Sequence, residues 1–329
     1  MKKGFIQKTV VMIGLLILLA SAAAGCGEKT AGEKKDVRIF LSLNEMDTFR
    51  QTLVNAAADK AEQEGVELVV EDAGGSIETQ VEHIKTAVAE EYDVILCSAV
   101  STDTVVELKA SAGDIPIIFI NSCPDDKHLE AGKYIYVGSD EKVAGQFQAE
   151  YVLDALTDKD EINVVLIKGP NEHSATIGRS NGVKQALAES GKKINYVFED
   201  RADWDTEQAR ELFELFLKTD VPVDCVICNN DSMALGVIAA CSNAGIDPGT
   251  IPILGVDATG DGCAAIRNGD MAFTVYQSGL GQGQAAVDMA IKIVKKEDTK
   301  GTEGITEDGK YVWVPFEKVD SSNVAQYME

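Results

Sequence analysis

The sequence predicts an α/β protein of two doubly wound lobes, each a parallel sheet with helices on both faces. Three observations carry this reading. Short apolar runs alternate with helix-period stretches from Asp36 onward, and the rhythm restarts at Asp140; strands alternating with helices imply parallel sheets. Runs such as IPIIFI (115–120) and NVVLI (163–167) are apolar throughout, as strands buried on both faces must be. The length of 329 residues gives a prior of about two domains, and right-handed crossovers wind each half into one lobe.

Taken in order, Val37–Leu43 reads as a strand and Phe49–Glu64 as an Ala-rich helix closed by Gly65. Val66–Glu71 is a strand. Ile77, Val81, Ile84 and Val88 then recur on one helical face. Val94–Cys97 and Ile115–Ile120 are strands around a helix near Thr104–Ala110, and Tyr134–Gly138 is another strand. After the helix starting at Asp140, the second half places strands at Ile162–Lys168, Ile194–Phe198, Val223–Cys228, Pro252–Val256 and Ala272–Tyr276. Its helices fall near Ile177–Glu189, Thr206–Lys218, Ser232–Ala244, Gly262–Asn268 and Leu280–Lys295. Glu297–Gly309 reads as a charged loop and Val312–Phe316 as a last strand.

Met1–Gly25 stands apart from the fold. Lys2, Lys3 and Lys8 precede the apolar run Val10–Ala20, which has signal-peptide length and is short for a membrane span. Ala22-Ala23-Ala24-Gly25-Cys26 is similar to a bacterial lipobox, with Ala23 where Leu is usual. Lipidation of Cys26 is expected, an ordinary cut near Ala24 being the alternative. Residues 26–36 are small and charged, as in a tether. The mature chain is therefore expected to be exported, held by lipid on the outer face of the cytoplasmic membrane or free in the periplasm.

Acidic residues outnumber basic ones 54 to 30, for a formal net charge of −24. That disfavours nucleic acid, which needs a basic face, and docking of the folded body on anionic lipid. Six cysteines remain beyond Cys26, and Cys225-x-x-Cys228 invites a metal or redox reading. Both lie in a strand-like run, where residues three apart point to opposite faces. Small buried hydrophobes are the expected role.

Ligands of open parallel sheets bind beyond the carboxyl ends of the strands. Those ends carry Asp47 and Phe49, Asn121, His173 and Arg179, Asn229, Asn230 and Asp231, Asp257, and Gln277, with Trp204 in a polar loop. No glycine-rich phosphate cradle is present. Asp accepts, Arg donates in a planar fork, and Asn and Gln do both, which suits a polyhydroxylated neutral ligand. Phe49 and Trp204 suit the apolar face of a sugar ring. Structural alternatives stand beside these roles. Asp140, Asp205, Asp231 and Asp257 could cap helices, with capping the expected main role of Asp205 and Asp231. Asn121 and Asn230 could shape turns, His173 could lie in a surface loop, and Phe49 could simply pack.

These residues resemble a known family. YVGSDEKVAG (136–145), VVLIKG with His173 and Arg179, ADWDTEQA (202–209), CNNDSMALG (228–236), IPILGVDA (251–258) and VPFEKVD (314–320) are similar to the ribose-type solute-binding proteins of ABC importers, in their galactose- and glucose-binding branch. The resemblance implies a periplasmic-binding-protein-like fold, two lobes joined by a multi-strand hinge with the sugar between them. It places residues 37–139 plus 277–311 in the first lobe and 140–276 plus 312–329 in the second. It implies a ligand set of Asp47, Phe49, Asn121, His173, Arg179, Trp204, Asn230, Asp257 and Gln277, the last in place of an Asn. The family's acid two residues after the His is Ala175 here, so one hydroxyl contact is lost. The implied partners are a monosaccharide and an ABC permease, with a monomeric chain and no cofactor. The family's calcium loop corresponds to residues 155–163, where Ala155 and Lys159 remove expected ligands and no metal is expected. Xylose, ribose or inositol as ligand, or a sensor role beside a chemoreceptor or histidine kinase, are the alternatives. A glycosidase built on Asp231 and Asp257 is disfavoured, since Arg179 beside them is expected to hold an acid ionised.

Overall fold

The structure, a computed structural model, describes residues 37–328. The export segment, Cys26 and the tether lie outside the described residues. Two six-stranded sheets organise the chain.

The first sheet contains β1 (Arg38–Leu43), β2 (Glu67–Asp72), β3 (Val94–Cys97), β4 (Ile117–Ile120), β5 (Tyr134–Gly138) and β11 (Tyr311–Trp313), ordered β11-β5-β4-β3-β1-β2 and wholly parallel. The second contains β6 (Glu161–Lys168), β7 (Lys193–Arg201), β8 (Cys225–Cys228), β9 (Ile253–Leu254), β10 (Phe273–Gln277) and β12 (Phe316–Asp320), ordered β12-β10-β9-β8-β6-β7. Only β12 runs antiparallel within it. Helices α1 (Thr48–Glu64), α2 (Ile77–Ala89), α3 (Val105–Ala112) and α9 (Gly279–Lys295) cover the first sheet. Helices α4 (Glu141–Ala155), α5 (Ser174–Glu189), α6 (Thr206–Leu217), α7 (Asp231–Asn243) and α8 (Gly260–Asn268) cover the second.

Each sheet separates two apolar clusters, so its strands alternate between cores. Leu41 and Ile118 pack beneath α1 and α9, while Phe40 and Ile117 pack beneath α2 and α3. Cys225 and Cys228 fall in the two different cores of the second sheet, fully buried, and burial pushes both thiols well above their ordinary value. The six described cysteines are free.

The chain passes between sheets after β5, after β10 and between β11 and β12. The last two passages fall slightly later than the sequence placed them. Gln277 ends β10 in the second sheet, and Val312 and Trp313 belong to β11 in the first. The single strand expected over Val312–Phe316 is two strands of different sheets. Pro315 lacks an N–H and interrupts the ladder between them. Val314 N donates to Gly138 O at 2.8 Å, and Gln282 Nε2 to Ser139 Oγ at 3.1 Å, tying the crossings together.

Two capping expectations resolve differently. Asp205 caps α6, accepting from Gln208 N at 2.7 Å. Asp231 does not cap α7. Asn230 does, accepting from Met233 N at 3.0 Å. Asp231 is wholly buried and instead accepts from Thr274 Oγ1 at 2.6 Å and Thr259 N at 2.7 Å. Its chain position, one residue inside the helix, turns its carboxylate toward the loop before α8.

Candidate functional site

All nine proposed contact residues line one cavity of about 300 Å³, counting the mouth that opens to solvent. Arg50 and Ala175 complete the lining. Asp47, Phe49, Arg50 and Asn121 come from the first lobe, and the others from the second or from the end of β10. The carboxyl ends of both sheets therefore face each other across it, where parallel-sheet ligands bind.

Local backbone geometry aims several of these side chains. Asn121 follows β4 with φ 58°, Trp204 follows β7 with φ 67°, and Asp257 follows β9 with φ 116°. Positive φ is costly for residues with a Cβ and concentrates at functional sites. At Asp257 the strand bends away after Leu254, leaving β9 two residues long where five were expected. Asp257 N still donates to Val275 O at 2.8 Å, so the side chain is anchored as it turns into the cleft. Gly169 makes room for Trp204: a Cβ there would lie 2.3 Å from the indole Cη2 and Cζ2 atoms.

Hydrogen bonds within the protein leave a defined set of groups for a ligand. Asp47 caps α1 with one oxygen (Arg50 N, 2.7 Å) and takes Arg50 Nη1 at 2.6 Å on the other. Arg50 Nε donates to Asn121 Oδ1 at 3.1 Å, which leaves the Asn121 amide N–H₂ to donate into the cavity. Asn230 likewise uses its oxygen as a cap and keeps its N–H₂. His173 Nδ1 accepts from Ala175 N at 3.2 Å. That fixes the proton on Nε2 in the neutral ring. Burial, Arg50 and Arg179 together depress its pKa to about 3, so the ring stays neutral.

Arg179 is held on three sides. Nε donates to Glu141 Oε2 at 2.7 Å, Nη1 to Asn229 O at 2.7 Å and Nη2 to Gln277 Oε1 at 3.0 Å. Gln277 also reaches Glu141 Oε1 at 3.4 Å. Both ends of its amide are thus engaged, and Gln277 orients the guanidinium as well as lining the wall. Asp257 Oδ1 lies 3.5 Å from Arg179 Nη1, an ion pair without a close hydrogen bond, so its oxygens are available as acceptors.

One electrostatic expectation is corrected. Arg179 does not hold the neighbouring acids at low pKa. Burial outweighs it and raises Asp257 well above the carboxylate range, and raises Asp231 to about 6. Glu141 shares the same guanidinium, so one positive charge is divided among several acids.

Across the mouth the lobes touch. Cys123 N donates to Ser174 Oγ at 2.9 Å, Ser122 Oγ lies 3.4 Å from His173 Nε2, and Arg50 Nη2 lies 3.5 Å from the same nitrogen. The His173 and Trp204 rings meet edge to face with centroids 5.5 Å apart.

A periplasmic binding protein domain is matched over residues 39–298. The chain belongs to the periplasmic binding protein family. It is 31% identical to a putative rhizopine-binding protein of Rhizobium meliloti, over 85% of this chain and 89% of that one. It is 26% identical to the D-galactose/methyl-galactoside binding periplasmic protein MglB of Haemophilus influenzae, over 98% and 100% of the two chains. The crystal structure of an ABC transporter solute-binding protein from Bacillus halodurans, with bound myo-inositol, superimposes with a TM-score of 0.79 at 28% identity, covering 90% and 99%. These relatives are solute-binding proteins, not enzymes.

Within this periplasmic binding protein, sequence reasoning missed Arg50 and Glu141. Arg50 sits three residues after Asp47 on the first turn of α1, so an i,i+3 acid–base pair beside a strand end was its visible signal. Glu141 adjoins Asp140, which caps α4, and looked like an ordinary first-turn acid. Its burial against Arg179 depends on the packing of α4 on α5 and has no sequence signal.

Proposed function

We propose that this exported protein captures an uncharged cyclic polyol, a monosaccharide or cyclitol, between its lobes and delivers it to an ABC importer. The observation that carries the reading is the cavity's balance. Asn121, Asn230, His173 and Arg179 offer donors, Asp257 and Asp47 offer acceptors, and Phe49 and Trp204 add aromatic faces. Arg50 is paired with Asp47 and Arg179 with the buried Glu141, while burial favours the neutral form of Asp257, which suits a ligand without net charge. Donors and acceptors set around a ring match hydroxyl stereochemistry, because a missing hydroxyl leaves a buried partner unpaired. Export and lipid anchoring at Cys26 belong to the same reading, as does action as a monomer.

Galactose or glucose is one candidate. Ala175, in place of an acid, favours a ring that makes no demand at that corner, and the relative solved with myo-inositol widens the set to cyclitols. Lobe closure follows from contacts on both sides: a ligand touching both lobes stabilises the closed arrangement by its differential affinity.

Calorimetric titration with D-galactose, D-glucose, D-xylose, D-ribose and myo-inositol tests this. One or more should bind with one-to-one stoichiometry and no turnover. Absence of heat with all of them, or product formation, would contradict the reading.

A further inference from the structure

A second cavity, about 720 Å³ including its opening, lies beside the first. Phe49, Asp257 and Gln277 form walls of both. The remaining lining comes from the two lobes: Thr48, Thr52 and Gly279 on one side, the turn 258–260, Tyr276, Tyr327 and Met328 on the other. Tyr276 and Tyr327 pack together with ring centroids 5.0 Å apart, forming an aromatic wall. Among the lining residues Asp257 carries the only carboxyl group, and none is basic.

We propose that this crevice receives an uncharged apolar or aromatic substituent of the ligand, so that the protein takes O-substituted sugars or cyclitols as well as the bare ring. This rests on the proposed role of the main cavity. Three features support it. The shared walls put any group attached on the Asp257 side of the ring next to the crevice. Its aromatic and thioether surface gains by being covered, at roughly 25 cal/mol per Å² of apolar area removed from water. Its walls come from both lobes, so an occupant stabilises closure in the same way as the ring itself. An anionic substituent is disfavoured. The first turns of α1, α8 and α9 meet here, but Asp47, Thr259 and Ser278 already cap them, and the lining offers no cationic side chain.

The test is calorimetric titration of the full mature chain with two series. One pairs D-galactose with its phenyl α- and β-glycosides. The other pairs myo-inositol with its mono-O-benzyl ethers and with a monophosphate. At least one aryl derivative should bind as tightly as its parent or more tightly. Thr52→Trp and Met328→Trp, on the walls of the crevice alone, should weaken that derivative about tenfold or more while moving the parent less than about twofold. If a parent binds and every aryl derivative is weaker by about a hundredfold, the crevice assignment falls and the main site stands. Tighter binding of the monophosphate than of the aryl ethers, or equal effects of the Trp variants on parent and derivative, would also overturn it. If neither parents nor derivatives bind, the reading of the main cavity falls and this inference with it.

Discussion

Asp257 enters the cleft from a backbone conformation that residues with a Cβ rarely adopt, and the next residue, Ala258, also has positive φ. Ala258 N donates to Thr274 Oγ1 at 3.3 Å, and Thr274 Oγ1 donates in turn to Asp231. A buried carboxylate outside the cavity thus supports the turn that presents an acceptor inside it. Asp257→Ala and Trp204→Ala should each weaken ligand binding by about tenfold or more, with little change in thermal unfolding, since each removes a contact and leaves the support in place. Titration and calorimetric melting check both. Asp231 has a second consequence. Its folded-state pKa is raised from 3.8 to about 6, so its contribution to stability falls as pH rises through that window, by up to about 3 kcal/mol. His173, depressed to about 3 from 6.5, acts with the opposite sign, favouring the fold as pH rises from about 3 to about 6.5. The wild-type profile therefore mixes two opposed slopes. Asp231→Asn isolates one: its stability relative to wild type should be greater at pH 7 than at pH 4, by about 2 kcal/mol in denaturant melts. A difference independent of pH would contradict the buried charge. The nine proposed contact residues were legible as a cavity lining because polar and aromatic side chains stood near strand ends in recognisable motifs. The strain at Asn121, Trp204 and Asp257 was not, since a positive φ in a non-glycine residue is imposed by tertiary contacts and leaves no mark in composition.

At the scale of elements, α4 and α5 set the position of Arg179. They approach closely through small residues: a Cβ on Gly145 would fall 2.0 Å from Arg179 O, and one on Gly182 would fall 2.2 Å from Lys142 O. This contact lets Glu141, at the start of α4, reach Arg179 on α5. Gly182→Leu should force the helices apart, lowering stability by about 1–3 kcal/mol and weakening binding through Arg179. Glu141→Ala should be more severe, about 3–5 kcal/mol, because it removes the carboxylate that hydrogen-bonds the buried guanidinium at 2.7 Å. Equal binding by Gly182→Leu and wild type, measured where both are folded, would separate the helix contact from the site. The order of strands and helices followed from apolar runs and helical periodicity. The ends of elements did not: Pro315 divides what looked like one strand, and β9 is cut short because its chain bends to deliver Asp257.

For the whole molecule, the net charge of −24 disfavoured nucleic acid and said nothing of the ligand. The proposed cavity sits apart from that excess, with Arg50 paired to Asp47 and Arg179 to the buried Glu141. Two lobes crossed three times by the chain, each lining the cavity, suit the proposed capture, in which a ligand touching both stabilises closure. Contacts of Ser122 and Cys123 with His173 and Ser174 bridge the lobes across the mouth. In the proposed capture, opening of the lobes breaks them. Small-angle X-ray scattering on the mature chain tests this most directly, with and without a saturating amount of whichever titrated sugar or cyclitol binds. The radius of gyration should fall on saturation, and in Trp204→Ala it should fall only at correspondingly higher ligand concentration. Saturable one-to-one binding with no change in the radius of gyration would contradict capture between the lobes.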